Sequence, residues 1–130
     1  DSIVGGHALA ALTSGFPALA EEVRAAAPVL VHEPLHVSSD HASFAGAGVP
    51  ALRLMAGFGE PHCAVARILT AADTRALVDQ AALHGAAAVA GCILAHLLGL
   101  PAGRAMALRA GADDARPALA ALAALPTGLS

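Results

Sequence analysis

The sequence predicts an α/β domain, on three observations. Short apolar runs rich in β-branched residues alternate with helical patterns, giving the order strand, helix, strand, helix, strand, long helix. Hydrophobic residues make up 57% of the 130-residue chain and charged ones 13%, so there is material for one packed core and no sign of a disordered tail. Only about three strands are legible, which reads as part of a sheet.

The elements follow in order. Asp1 to Gly6 reads as a short strand running into a glycine turn. Pro17 to Ala27 is a helix with proline in its first turn, Glu21 and Glu22 near its start, and Pro28 as its stop. Val29 to Val31 is a short buried strand. Ala42 to Ala47 gives one or two helical turns ending at Gly48, and Val49 to Met55 a further strand that tolerates Pro50 at its start. Gly57 to Leu69 is an irregular loop. Thr70 with Asp73 offers a capping pattern, and behind it a long helix is expected over 71–98, closed by Gly99 and Pro101. From Pro101 onward no clear helical face emerges until a last helix over 114–125.

Composition excludes several classes. The chain has 36 alanines and seven arginines but no lysine or asparagine, a bias of GC-rich codon usage, so much of the alanine is silent about function. Net charge is −3, arginines do not cluster, and tryptophan and tyrosine are absent, so no nucleic-acid partner is expected. Asp1 stands where a start methionine would, and no basic segment precedes an apolar one, so no signal peptide is expected and the chain reads as processed or as a fragment. The twenty residues 81–100 lack Asp, Glu, Lys and Arg, the length of a membrane span. His84, His96 and the abundance of alanine instead favour a buried or sheet-covering helix. No compartment follows from the sequence.

Four groups of residues could carry chemistry. His32-Glu33-Pro34-Leu35-His36 matches the zincin pattern letter for letter, with Glu60 as a possible third ligand. That pattern needs a helix to aim two imidazoles at one metal, whereas Pro34 inside a helix costs about 3 kcal/mol and the valine flanks favour a strand. Ser39-Asp40-His41 resembles a hydrolase triad in composition, but adjacent residues cannot form its relay and no G-x-S-x-G elbow is present. Asp40 alternatively caps the helix that follows. His62 lies in a Gly- and Pro-rich loop after a strand, where rigid scaffolds present ligands. Cys63 and Cys92 do not form a metal-spaced pair; Cys92 is expected in the core. His84 and His96 lie too far apart on one helix to share a metal, and His7 is uninformative.

Read together, Ser39-Asp40-His41-Ala-Ser-Phe44, then Gly48-Val49-Pro50-Ala51, a strand, His62 in a loop, Asp73-Thr74 and a long helix resemble a signature of the bacterial aminopeptidases and glutaminyl cyclases of metallopeptidase family 28. The resemblance covers about residues 40–98. It implies a three-layer α/β/α sandwich, with residues 1–100 forming its C-terminal part and 101–130 a partly helical, Ala-rich extension. It also implies zinc, one or two ions, with His62 as the last ligand and Asp1, in Asp1-Ser-Ile-Val-Gly5, as the preceding carboxylate ligand. Asp40 and His41 become supporting residues near the metals. The implied reaction is hydrolysis of N-terminal peptide bonds by metal-activated water, with a peptide or aminoacyl substrate. Three departures are visible. The first zinc His, the bridging Asp and the Glu pair that supplies the base belong upstream of Asp1, so the N-terminal half of the domain is the expected partner and this chain alone is inactive. Pro61 stands where a Tyr often precedes the last His, and Ser38 where an Arg often precedes S-D-H. The competing reading is a non-catalytic α/β or helical module whose small-residue helix, with Gly85 and Gly91, packs on a partner.

Overall fold

The computed structural model describes residues 8–36 and 39–110, with 116, 117, 120 and 121 beyond them. The chain is mixed α/β. Strand β1 (Leu9–Leu12) sits between β2 (Leu30–His32), parallel to it, and β3 (Arg53–Ala56), antiparallel. Ala10, Ala11 and Leu12 pair with Leu30, Val31 and His32 on one side, and with Met55, Leu54 and Arg53 on the other. Parallel neighbours need a crossover, and helix α1 (Pro17–Ala26) supplies it. The predicted first strand, Asp1 to Gly6, lies outside the described residues. The central strand is the next segment, whose Leu-Ala-Ala-Leu sequence carries no β-branched residue. Burial decides its state: Ala10, Ala11 and Leu12 are almost wholly enclosed, and small side chains let both faces be covered closely.

Strand periodicity divides the core in two. Ala11, Val31 and Leu54 face a layer made by Phe16, Leu19 and Val23 around α1, and by Val89, Ile93 and Leu97 of α3 (Gln80–Leu98). Ala10, Leu12 and Met55 face the other way, onto Phe58, Val65 and Ile68. That second cover is the loop after β3 and a 3-10 turn (Ala64–Arg67), so among the described residues the α-helices lie on one face and irregular chain on the other.

Short helix α2 (His41–Gly46) ends as its sequence requires. Gly48 takes a φ of 73°, its amide bonds the Ala45 carbonyl at 2.9 Å, and the Val49 amide reaches back to Phe44 at 2.9 Å. This is a Schellman closure, and the left-handed position explains the glycine. Gly48→Ala is expected to cost about 1–2 kcal/mol in urea unfolding, because a Cβ is strained there; an unchanged midpoint would contradict the assignment.

The long helix differs from its expected form in three ways. It starts at Gln80 rather than near Ala71, capped by Asp79, whose Oδ1 accepts from the Ala82 amide at 2.8 Å. The Thr70–Asp73 pattern closes a separate turn instead: Thr70 Oγ1 accepts from Ala72 and Asp73 Oδ2 from Leu69, both at 3.2 Å. Capping chemistry alone does not say whether a helix or a turn follows. Second, only 11% of its most apolar stretch is buried, although it is long and apolar enough to cross a membrane. Cys92, expected in the core, is exposed, because the contact stripe runs through Ala86, Val89, Ile93 and Leu97. Third, Pro101 is followed directly by α4 (Ala102–Ala107), where no face was legible. The last predicted helix lies largely outside the described residues.

Glu22 ties these helices together rather than serving the dipole of α1. It is buried, and its carboxylate accepts from His96 Nε2 at 2.7 Å and from the Arg104 guanidinium at 2.5 and 2.9 Å. The His96 hydrogen bond and then Arg104 hold its carboxyl below the usual range, against the opposing effect of desolvation.

Candidate functional site

Two places bring chemistry-bearing residues to the surface of the sheet. The first is the turn between β1 and α1. The β ladder continues past the strand, with the Thr13 amide on the His32 carbonyl at 3.0 Å and the Gly15 amide on Glu33 at 2.8 Å. Ser14 and Gly15 then take left-handed φ values of 48° and 85° and turn the chain into Pro17. Ser14 is fully buried. Its Oγ lies 2.9 Å from His41 Nε2, 3.1 Å from the His36 carbonyl and 3.3 Å from the His36 amide.

One assignment satisfies all three contacts. The hydroxyl donates to the His36 carbonyl and accepts from the His36 amide and from His41 Nε2–H. His41 is then the Nε2–H tautomer, and its Nδ1 is a lone-pair acceptor. That Nδ1 is buried and has no hydrogen-bond partner. Burial lowers the pKa of His41 below its ordinary 6.5 and keeps it neutral. His36 stacks on His41 with ring centroids 6.3 Å apart, and Phe58 meets His36 edge-on at 5.6 Å and His32 at 4.7 Å. The pKa of His36 is also lowered, by burial first and by the charges of Arg53 and His32 after it.

Ser14 sits at a strand–turn–helix corner with a strained φ, which is also where some hydrolases hold a nucleophile. Full burial and three hydrogen bonds on one oxygen make it a clamp instead. It fastens the segment carrying His36 and His41 to the sheet. The sequence signal was present in Thr13-Ser14-Gly15-Phe16-Pro17, a turn pair between an apolar run and a Pro-initiated helix. It is not a G-x-S-x-G match, so motif reading passes over it.

The Ser39-Asp40-His41 neighbours form no relay; the partner of His41 comes from 27 residues away. Asp40 occupies the N-cap position of α2, but its backbone is helical and its side chain makes no capping bond, so the capping role expected for it is absent. Asp40, His41, Phe44, Leu52, Arg53 and Leu54 line a cleft of about 430 Å³ together with Ser39 and Ala51. The His32–His36 segment is not helical. β2 ends at His32, Pro34 follows in a bend, and the His36 amide is held by Ser14, so the i, i+4 geometry of a zincin pair is missing.

The second place is the loop leaving β3. Gly57 and Gly59 take φ values of 70° and 76°, and His62, a non-glycine, takes 62°. The Gly57 amide bonds the Ala8 carbonyl at 2.9 Å, so this loop departs from the sheet end where the chain enters β1. Cys63 is buried and its Sγ donates to the Gly57 carbonyl at 3.1 Å, which pins the loop and leaves His62 exposed at its turn. His62 and the His41 cluster therefore attach at opposite ends of β3. Asp1 lies outside the described residues. Among the described residues no three His, Cys, Asp or Glu side chains converge on one point, and His62 is the exposed imidazole of this loop.

The fold and these two places define a mixed α/β domain with a histidine-bearing loop at one sheet end and a polar cleft at the other. Comparison of the chain with family models, with curated proteins and with solved structures gives no match.

Proposed function

We propose that the chain is the C-terminal part of a zinc-dependent aminopeptidase domain of the metallopeptidase family 28 type. The observation that carries this reading is the order of its parts. Ser39-Asp40-His41 opens α2, the Gly48 turn and Val49-Pro50 lead into β3, and β3 leads into a glycine loop that presents an exposed imidazole at His62. The Gly57–Ala8 hydrogen bond supports it further, since it joins that loop to the chain that follows Asp1. In this reading His62 and Asp1 are zinc ligands, and the other ligands and the general base belong to the N-terminal half of the domain. Asp40 and His41 keep the supporting, structural role that the resemblance implies for them. The largely exposed α3 is a helix whose remaining cover is the rest of a three-layer α/β/α sandwich. The 130-residue chain alone hydrolyses no peptide, because one loop histidine and one carboxylate do not complete a hydrolytic zinc site.

A second reading, a non-catalytic module that binds a partner through α3, is favoured by the same exposure together with the open surroundings of Gly85 and Gly91. The test is hydrolysis of leucine p-nitroanilide by the protein carrying all the residues its gene encodes. The aminopeptidase reading expects activity that is lost in chelator and restored by zinc. No hydrolysis of any aminoacyl anilide, with the protein folded, would leave the module.

A further inference from the structure

We propose that Phe58, set against the imidazoles of His32 and His36, is the positioning residue of the His62 loop. The proposal rests on the reading of His62 as a zinc ligand and adds to it how the loop is aimed. His32 and His36 are the two histidines of the His-Glu-x-x-His pattern, and their rings share Phe58 as a neighbour. Phe58 meets His32 at a centroid distance of 4.7 Å, tilted by 59°, and His36 at 5.6 Å, edge-on at 88°. Tilted and edge-to-face arrangements at such distances are those in which aromatic rings attract. Both imidazoles stand on fixed backbone. His32 pairs with Leu12 in the ladder, and its carbonyl accepts from the Thr13 amide at 3.0 Å. The amide and carbonyl of His36 are both bound by the buried Ser14 hydroxyl.

The loop requires such an anchor. Between Gly57 and Cys63 it reads Phe58-Gly59-Glu60-Pro61-His62, with Phe58 as its large apolar side chain. It closes on itself, since the Gly57 carbonyl accepts from the Glu60 amide and from Cys63 Sγ, both at 3.1 Å. The Gly57 amide joins it to the end of the sheet at Ala8. One backbone bond fixes a point but not a direction, and the positive φ glycines on either side of Phe58 add freedom. Phe58 supplies the second point, because it folds back over the face of Ala10, Leu12 and Met55 to reach His32. Val65 and Ile68 hold the chain beyond the loop to the same face, so the stretch left to Phe58 is the one that carries His62. Groups that orient a metal ligand without touching the metal commonly set its affinity.

The experiment takes the protein with all the residues its gene encodes and measures its zinc dissociation constant by competition with a chelator. The variants are Phe58→Leu, Phe58→Tyr, His32→Leu and the double variant of Phe58→Leu with His32→Leu. Leucine at 58 keeps the apolar volume and loses the ring, whereas His32→Leu removes the facing ring and leaves the loop sequence intact. Phe58→Leu and His32→Leu are each expected to weaken zinc binding about tenfold, and Phe58→Tyr to bind as the wild type does. The double variant should bind no more weakly than Phe58→Leu, because both changes remove one contact. His32→Leu keeps the test decisive if Phe58→Leu fails to fold, because His32 is only half-buried. Unchanged affinity in the two leucine variants, or losses that simply add, would overturn the proposal. A wild-type protein that binds no zinc through His62 would sink the zinc reading instead, and amide relaxation from Gly59 to His62 in the metal-free protein then decides the anchor. Increased nanosecond motion in Phe58→Leu and His32→Leu, but not in Phe58→Tyr, supports it, and identical relaxation in all of them overturns it.

Discussion

Replacing Ser14 with alanine is expected to destabilise the protein by about 2–4 kcal/mol, which is large for the loss of one oxygen atom. The hydroxyl serves three partners at once, the His36 amide, the His36 carbonyl and His41 Nε2, all within 3.3 Å. Without it the buried His41 loses its Ser14 partner on Nε2, while Nδ1 already has none. Water has little access to replace these bonds, because Ser14 is fully enclosed. Ser14→Gly separates the two effects present at this position. It also loses the hydroxyl, but it removes the strain of a side chain at φ 48°, so it should be about 1 kcal/mol less damaging than alanine. Chemical unfolding of the three proteins measures this order; equal stability of all three would show that the clamp is unimportant.

The second large effect is acid sensitivity. Burial lowers the pKa of His41 and of His36 below 6.5 in the folded protein. In the unfolded chain both titrate near that ordinary value. The unfolded state therefore binds protons first as pH falls, and stability is lost from about pH 6.5 downward until the folded-state values are reached. The groups facing His41 set the balance: Arg53 and a protonated His36 oppose its charging, and Asp40 and the His36 carbonyl favour it more weakly than burial disfavours it. Glu22 acts at lower pH in the same direction, since its carboxyl is held below 4.5 by His96 and Arg104 and protonation releases both helices. The thermal midpoint should thus decline in two stages on acidification. His41→Asn, which retains a side-chain donor for Ser14, should flatten the upper stage while leaving the lower one. A midpoint that is constant between pH 7 and pH 5 would contradict the burial of His41 as the controlling feature.

What the sequence made legible follows from where its signals are local. Proline and glycine punctuation defined α1 and α2, because Pro17, Pro28 and Gly48 act within one turn of their own position. The segments of β2 and β3 were visible through β-branched and large apolar residues, though the ladder ran over Leu30–His32 and Arg53–Ala56 rather than over the runs themselves. Strand β1 was not visible, since Leu-Ala-Ala-Leu becomes a strand only through the neighbours on both its edges. The alanine-rich C-terminal region was equally mute, because alanine marks neither face of a helix. Of the candidate residues, His62 was legible as a loop histidine because Gly57, Gly59 and Pro61 surround it. The Ser14–His41 contact was not, because it joins two turns that only the sheet brings together.

Metal content tests most directly the proposal that His62 is a zinc ligand. The protein with all the residues its gene encodes should be purified without added chelator and its zinc measured against protein, beside His62→Ala and His36→Ala. The account predicts near-stoichiometric zinc that His62→Ala strongly reduces and His36→Ala leaves in place. Zinc that depends on His36 instead, or its absence from all three folded proteins, would contradict it.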